Sequence, residues 1–132
     1  MNKTVVIPSE LGAAEQAENK LLEAVARCGY TEPSTFAIKL AVEEAINNAI
    51  KHGNKLNPKK VVDVTFHVDS SQAVVTITDE GEGFNPHSLP DPTADENLEK
   101  PTGRGVMLMR AYMDEVRFNG KGNQVRMVKR NT

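Results

Sequence analysis

Three groups of residues in this chain have types and spacings that suit chemistry. Glu44 and Asn48 stand one helical turn apart, Asp79 is followed by Gly81 and Gly83, and Gly103-Arg104-Gly105 opens a later segment. The first pair is the most informative. Phe36 to Gly53 reads as a helix, and at about 100° per residue Ala37, Ile38, Ala41, Val42, Ala45, Ile46 and Ala49 fill one half of it. Asn48 falls inside that half, close in angle to Ala41, and Glu44 lies at its edge. A buried amide or carboxylate without a partner costs about 1–3 kcal/mol or more, so something must meet these side chains.

The second and third groups answer to the first. In 73–79, Ala73, Val75 and Ile77 alternate with Val74, Thr76 and Thr78, which puts Asp79 on the same face as Val75 and Ile77. That is the face the helices must cover, so the carboxylate aims at the helix layer. Each group alone has a plain reading. Glu44 suits a helix edge, Asn48 a satisfied buried amide, the glycines after Asp79 a turn, and Gly103 with Gly105 a hinge. Together they suggest a nucleotide site. An Asn oxygen is a hard ligand suited to Mg²⁺, which takes its other oxygens from water and phosphates. A carboxylate one turn away can orient or deprotonate an attacking hydroxyl or water. Asp79 can accept from an exocyclic amine such as that of adenine, glycines let backbone approach closely, and amides at a helix start suit phosphate. Arg104 either meets a γ-phosphate or is solvated.

The elements that position these groups follow from periodicity. Thr4–Ile7 is β-prone, and Ser9 is placed as the N-cap of a helix carrying Leu11, Ala14, Leu21, Val25 and Cys28, closed by Gly29. Pro33 and Ser34 open the second helix, which stops at Gly53. Strands are expected at 61–68 and 73–79. Residues 85–102 hold four of the seven prolines and four acidic residues, the composition of a lid or binding loop. A helix over 106–113 follows, with Met107, Met109 and Met113 as core filling. Strands at 116–118 and 124–128 join through Asn119–Gly122 as a hairpin.

Composition bounds the rest. With 132 residues, 26% charged and 39% hydrophobic, the chain is sized for one domain spanning 1–132. No apolar run approaches a membrane span, and no apolar signal stretch opens the chain, so the expectation is a cytoplasmic protein without a membrane partner. The net charge of −2 argues against nucleic acid, and the single cysteine, Cys28, excludes an intrachain disulfide. The P-loop and the dinucleotide fingerprint are both absent, so a different ATP fold is required.

Glu44-x3-Asn48 with His52-Gly53 resembles the N box of the GHKL ATPase superfamily. Asp79-x-Gly81-x-Gly83-Phe84 resembles its G1 box, and Gly103-x-Gly105 followed by Val106 its G2 box. The small size and the lack of a phosphoacceptor-histidine helix make the chain most similar to the anti-sigma-factor serine/threonine-protein kinases. The resemblance implies a two-layer α/β sandwich of the GHKL (Bergerat) type, with a mixed sheet covered on one face by about three helices. ATP would lie between the helices and a mobile lid at 85–102. By position, Asn48 would hold Mg²⁺, Glu44 would be the catalytic base and Asp79 would bind adenine. Gly81, Gly83, Gly103, Arg104, Gly105 and Val106 would shape the nucleotide pocket and phosphate-binding lid. It further implies phosphorylation of a serine on an anti-anti-sigma (STAS-type) partner, capture of a sigma factor, and a homodimer. Where many relatives carry Gly-Thr at the start of the last strand, this chain has Gly122-Asn123. The competing readings are a non-catalytic ATP-dependent protein-binding module and a detached ATPase domain of a histidine kinase.

Overall fold

The computed structural model describes residues 1–81 and 103–132, with side chains from 105 onward in the second stretch. The proposed lid at 85–102, Gly83 and the Arg104 side chain therefore lie outside the described residues. Five strands form one sheet in the order β1-β2-β3-β5-β4: β1 (Asn2–Pro8), β2 (Val61–Val68), β3 (Gln72–Thr78), β4 (Glu115–Phe118) and β5 (Gln124–Arg130). Three helices, α1 (Ala14–Arg27), α2 (Glu32–Asn48) and α3 (Gly103–Tyr112), cover one face. This is the two-layer sandwich expected from the sequence.

The sheet itself is antiparallel at every pairing, where a mixed one was expected. The reason lies in the connections. A helical hairpin, α1 and α2, returns the chain to the end where β1 finished, so β2 runs back alongside it. The single helix α3 does make β4 parallel to β3. However, β5 inserts between them, splitting the βαβ unit and pairing antiparallel with both neighbours.

Alternation decides which face is covered. Val62, Val64, Phe66 and Val68 of β2, Ala73, Val75 and Ile77 of β3, and Val125 and Met127 of β5 point to the helices and are buried. Against them pack Leu21, Ala24 and Val25 of α1, the predicted stripe Ala37 to Ile46 of α2, and Val106 and Met109 of α3. Thr31 caps α2, its hydroxyl oxygen accepting from the Ser34 N–H at 3.3 Å, with Pro33 just inside the helix start. Two expectations are corrected. Met107 is 60% exposed and fills no core; it follows Val106, which takes the inward-facing position at the start of α3. Ser9 is not a helix cap. It is buried and donates to the Lys60 carbonyl at 2.7 Å, tying the end of β1 to the start of β2, and α1 begins only at Ala14.

α1 also buries a carboxylate that the periodicity did not flag. Glu18 is 8% exposed. Burial, reinforced by Glu43 and Glu15 and opposed by Lys39, pushes its carboxyl up to about 7. The ordinary value is 4.5, so the folded chain binds more protons than the unfolded chain between these limits. The contribution of Glu18 to stability is therefore greatest below 4.5 and is lost as pH rises through about 7. Urea denaturation across this range should show that decline in the wild type, and Glu18→Gln should flatten it.

Candidate functional site

The site begins where α2 stops. After Asn48 the helix widens into a π-helical turn over Ala49–Gly53, closed by the Asn54 N–H donating to the Ala49 carbonyl at 2.8 Å. Lys55 and Leu56 then adopt left-handed backbone, with φ of 53° and 59°. Each such residue carries a cost of roughly 1 kcal/mol, which marks the turn as strained. Leu56 N–H bonds back to the Ile50 carbonyl at 2.8 Å, so the strained conformation wraps the helix end.

This turn delivers Gly53 directly against Asp79. A Cβ built on Gly53 would overlap the Asp79 carboxyl, and one on Gly81 would overlap the Gly53 carbonyl. A side chain at Gly53 would displace the Asp79 carboxyl, and one at Gly81 would require backbone to move. The Gly81 N–H donates to Asp79 Oδ1 at 2.7 Å. Burial raises the Asp79 pKa, and the Gly81 amide, Lys121 and Lys60 oppose that rise only in part. The carboxyl thus sits at the edge of the helix layer, on the face that the strand phase predicted.

Asn54 fastens the junction. Its side chain is buried, donates to Ser9 Oγ at 2.8 Å and to the Val61 carbonyl at 2.9 Å, and accepts from the Glu80 N–H at 2.7 Å. Removing it would strand several buried polar groups, at about 1–3 kcal/mol each. Sequence reasoning missed this residue. The available signal was an Asn immediately after a helix-ending Gly, which alone indicates only a turn. On the other side, Asn123 takes the position of the Gly-Thr pair. It is bonded to Asp79 through both backbone and side chain: Asp79 N–H donates to the Asn123 carbonyl at 2.9 Å, and Asn123 Nδ2 donates to the Asp79 carbonyl at 3.1 Å.

A cavity opens between these pieces, with about 40 Å³ of water-accessible space. Its apolar wall comes from Ala45, Ala49, Ile77, Met109, Phe118 and Val125, and its polar wall includes Asn48 and Asp79. That volume holds a few waters. Asn48 is half-buried, and its amide makes no hydrogen bond among the described residues. A Cβ on Gly105 would lie 2.6 Å from Asn48 Nδ2, so the start of α3 presses its backbone onto this amide. Glu44 is half-buried one turn earlier but does not line the cavity, and its carboxyl has no hydrogen bond or ion pair among the described residues. α3 does begin at Gly103, while the Val106 side chain packs in the core, leaving only its backbone for a ligand. The structure therefore gathers Asn48, Asp79, Gly81 and Gly105 and sets Glu44 just outside.

The donor set suits Mg²⁺-nucleotide: an amide oxygen with no hydrogen bond among the described residues, a buried carboxyl at the apolar end, and backbone brought close by glycines. Comparison with known proteins gives the family. The sequence model of the histidine kinase-like ATPase domain matches residues 7–129. The chain belongs to the histidine kinase-like ATPase domain family. Within that family it is 35% identical over 113 residues to the serine-protein kinase RsbW of Bacillus subtilis, covering 78% of this chain and 69% of that one. It is 30% identical to RsbW of Oceanobacillus iheyensis over 72% of this chain and 64% of that one. It is 36% identical to the anti-sigma F factor of Bacillus cytotoxicus over 70% and 64% respectively. The chain thus spans about two thirds of the length of these curated relatives. The solved RsbU and RsbW domains of Rv1364c from Mycobacterium tuberculosis share the fold, with a TM-score of 0.65 at 16% identity over 99% of this chain and 32% of that one.

For a member of this ATPase family, Asp79→Asn separates stability from binding. The amide removes a buried charge while keeping an oxygen for the Gly81 N–H. Thermal melting should rise, and affinity for a fluorescent adenine nucleotide should fall about 10-fold or more, as expected when an acceptor opposite a ligand amine becomes a donor.

Proposed function

We propose that this chain is an ATP-dependent anti-sigma regulatory factor that phosphorylates a serine on an anti-anti-sigma partner of the STAS type and sequesters a sigma factor. The observation that carries the reading is the Asn48 amide on the cavity wall, without a hydrogen bond among the described residues, approached closely by Gly105 and sharing the wall with the buried Asp79. The relatives, a serine-protein kinase and an anti-sigma F factor, support the partner classes and the acceptor. Homodimerisation and a cytoplasmic setting belong to the same reading. Among the described residues no helix is long and apolar enough to cross a membrane.

ATP bound with Mg²⁺ supplies the phosphoryl group and offsets its charge. Every other role falls to the chain's own residues. Asp79 accepts from the adenine amine, and Asn48 Oδ1 is the ligand for the metal. The amides at the start of α3, around Gly103 and Gly105, hold phosphate, with Arg104 assigned to the γ-phosphate end. Gly81 keeps the backbone close to the base. Glu44, without a hydrogen bond or ion pair among the described residues and outside the cavity wall, accepts the proton of the incoming serine hydroxyl. A base that must meet a second protein belongs at the rim, and Glu44 stands there.

The test is transfer of the γ-phosphate to a candidate anti-anti-sigma protein. Glu44→Gln should retain nucleotide affinity and lose transfer by about 100-fold or more. Equal transfer by wild type and variant would remove Glu44 from the role of base. Tight ATP binding with no transfer by the wild type would favour the non-catalytic binding module instead.

A further inference from the structure

α1 and α2 meet along a second cleft, of about 490 Å³, which shares no residue with the nucleotide cavity. One wall is the α2 stripe Lys39, Glu43, Asn47 and Lys51, spaced four apart and therefore on one side of the helix. The other wall includes Glu15 and Glu18 of α1. Glu18 is 8% exposed, and its Oε1 is buried without a hydrogen-bond partner. No described lysine or arginine closes an ion pair with it. Native proteins rarely leave a buried carboxylate oxygen in that condition, because the group forfeits its hydration with nothing in return.

The composition of the cleft says what would complete it. Three carboxylates, Glu15, Glu18 and Glu43, face two ammoniums, Lys39 and Lys51, so an anion is repelled where Glu18 sits. A bare metal ion is disfavoured as well: no grouping of three His, Cys, Asp or Glu suited to one occurs among the described residues. What fits is an organic cation that donates hydrogen bonds. The cleft is much roomier than a lone ammonium or guanidinium needs, and Leu22 and the 64% exposed Leu11 line it with apolar surface. An alkyl stem ending in a cation uses both features.

We propose that the α1–α2 cleft receives a basic side chain, arginine or lysine, of a polypeptide partner, its charged head pairing with the Glu18 carboxyl. The inference is independent of the nucleotide site, since it uses none of the residues assigned there. Glu18 is a recognition residue held in reserve, and the raised affinity of its carboxyl for protons is the same deficit that a cationic head would fill.

The experiment is an amide-resolved NMR titration of the full chain with acetyl-Gly-Arg-Gly-amide, its citrulline counterpart and guanidinium ion alone. Expected are saturable shifts confined to α1 and α2 around Glu15, Glu18 and Glu43, with the citrulline peptide at least about 10-fold weaker. Glu18→Gln, of the same shape and without the charge, should erase the preference for arginine. Glu43→Gln, a partly exposed change that leaves the fold intact, should weaken it less. Indifference to citrulline, retention of the preference in Glu18→Gln, or absence of a saturable response would overturn the proposal. Guanidinium ion binding as tightly as the peptide would overturn the polypeptide assignment.

Discussion

The Asp79 carboxyl is wedged between two backbones that tolerate no side chain. Gly53 at the end of α2 and Gly81 just beyond β3 both approach it more closely than any Cβ permits, and the rest of the site hangs on that contact. It fixes where the helix layer meets the strand end, and so where the cavity lies. Asn54 locks the junction from one side through Ser9, Val61 and Glu80, and Asn123 locks it from the other. With the end of α2 held this way, Asn48 is brought under the start of α3, where Gly105 completes the cradle.

The arrangement stands against the chain's own stability. Asp79 keeps a buried carboxyl whose charged form is disfavoured, Asn48 keeps an amide without a hydrogen bond among the described residues, and Lys55 and Leu56 hold left-handed backbone. Each deviation alone would be an unexplained defect. Asn48 and Asp79 line one cavity and the strained turn follows directly on its Gly53, the pattern expected where binding, not folding, selects the residues. Glu18 repeats the pattern elsewhere, in a cleft the ATPase chemistry does not use.

Much of this was legible in the sequence because alternation and helical period are local. The α2 stripe from Ala37 to Ala49 is buried throughout, and the phase of β3 places Asp79 on the helix side. The antiparallel sheet was not legible, because it depends on β5 entering between β3 and β4, a pairing of distant segments that no local pattern encodes. Ser9 looked like a helix cap for the same reason: a hydroxyl ahead of a helical stretch gives no sign that its real partners, Lys60 and Asn54, lie some fifty residues on. The π-helical turn after Asn48 and the hub at Asn54 were hidden likewise. Glu18 passed unnoticed because a glutamate on an amphipathic helix is ordinarily solvated, and only the fold shows α2 closing over it.

The central claim is that the Asn48 amide, which makes no hydrogen bond among the described residues, is a ligand of Mg²⁺-ATP. The most direct measurement is ATP affinity with and without Mg²⁺ for the wild type and for Asn48→Ala. The account predicts that Mg²⁺ tightens ATP binding to the wild type and that this gain disappears in Asn48→Ala. An equal Mg²⁺-dependent gain in both proteins would contradict it.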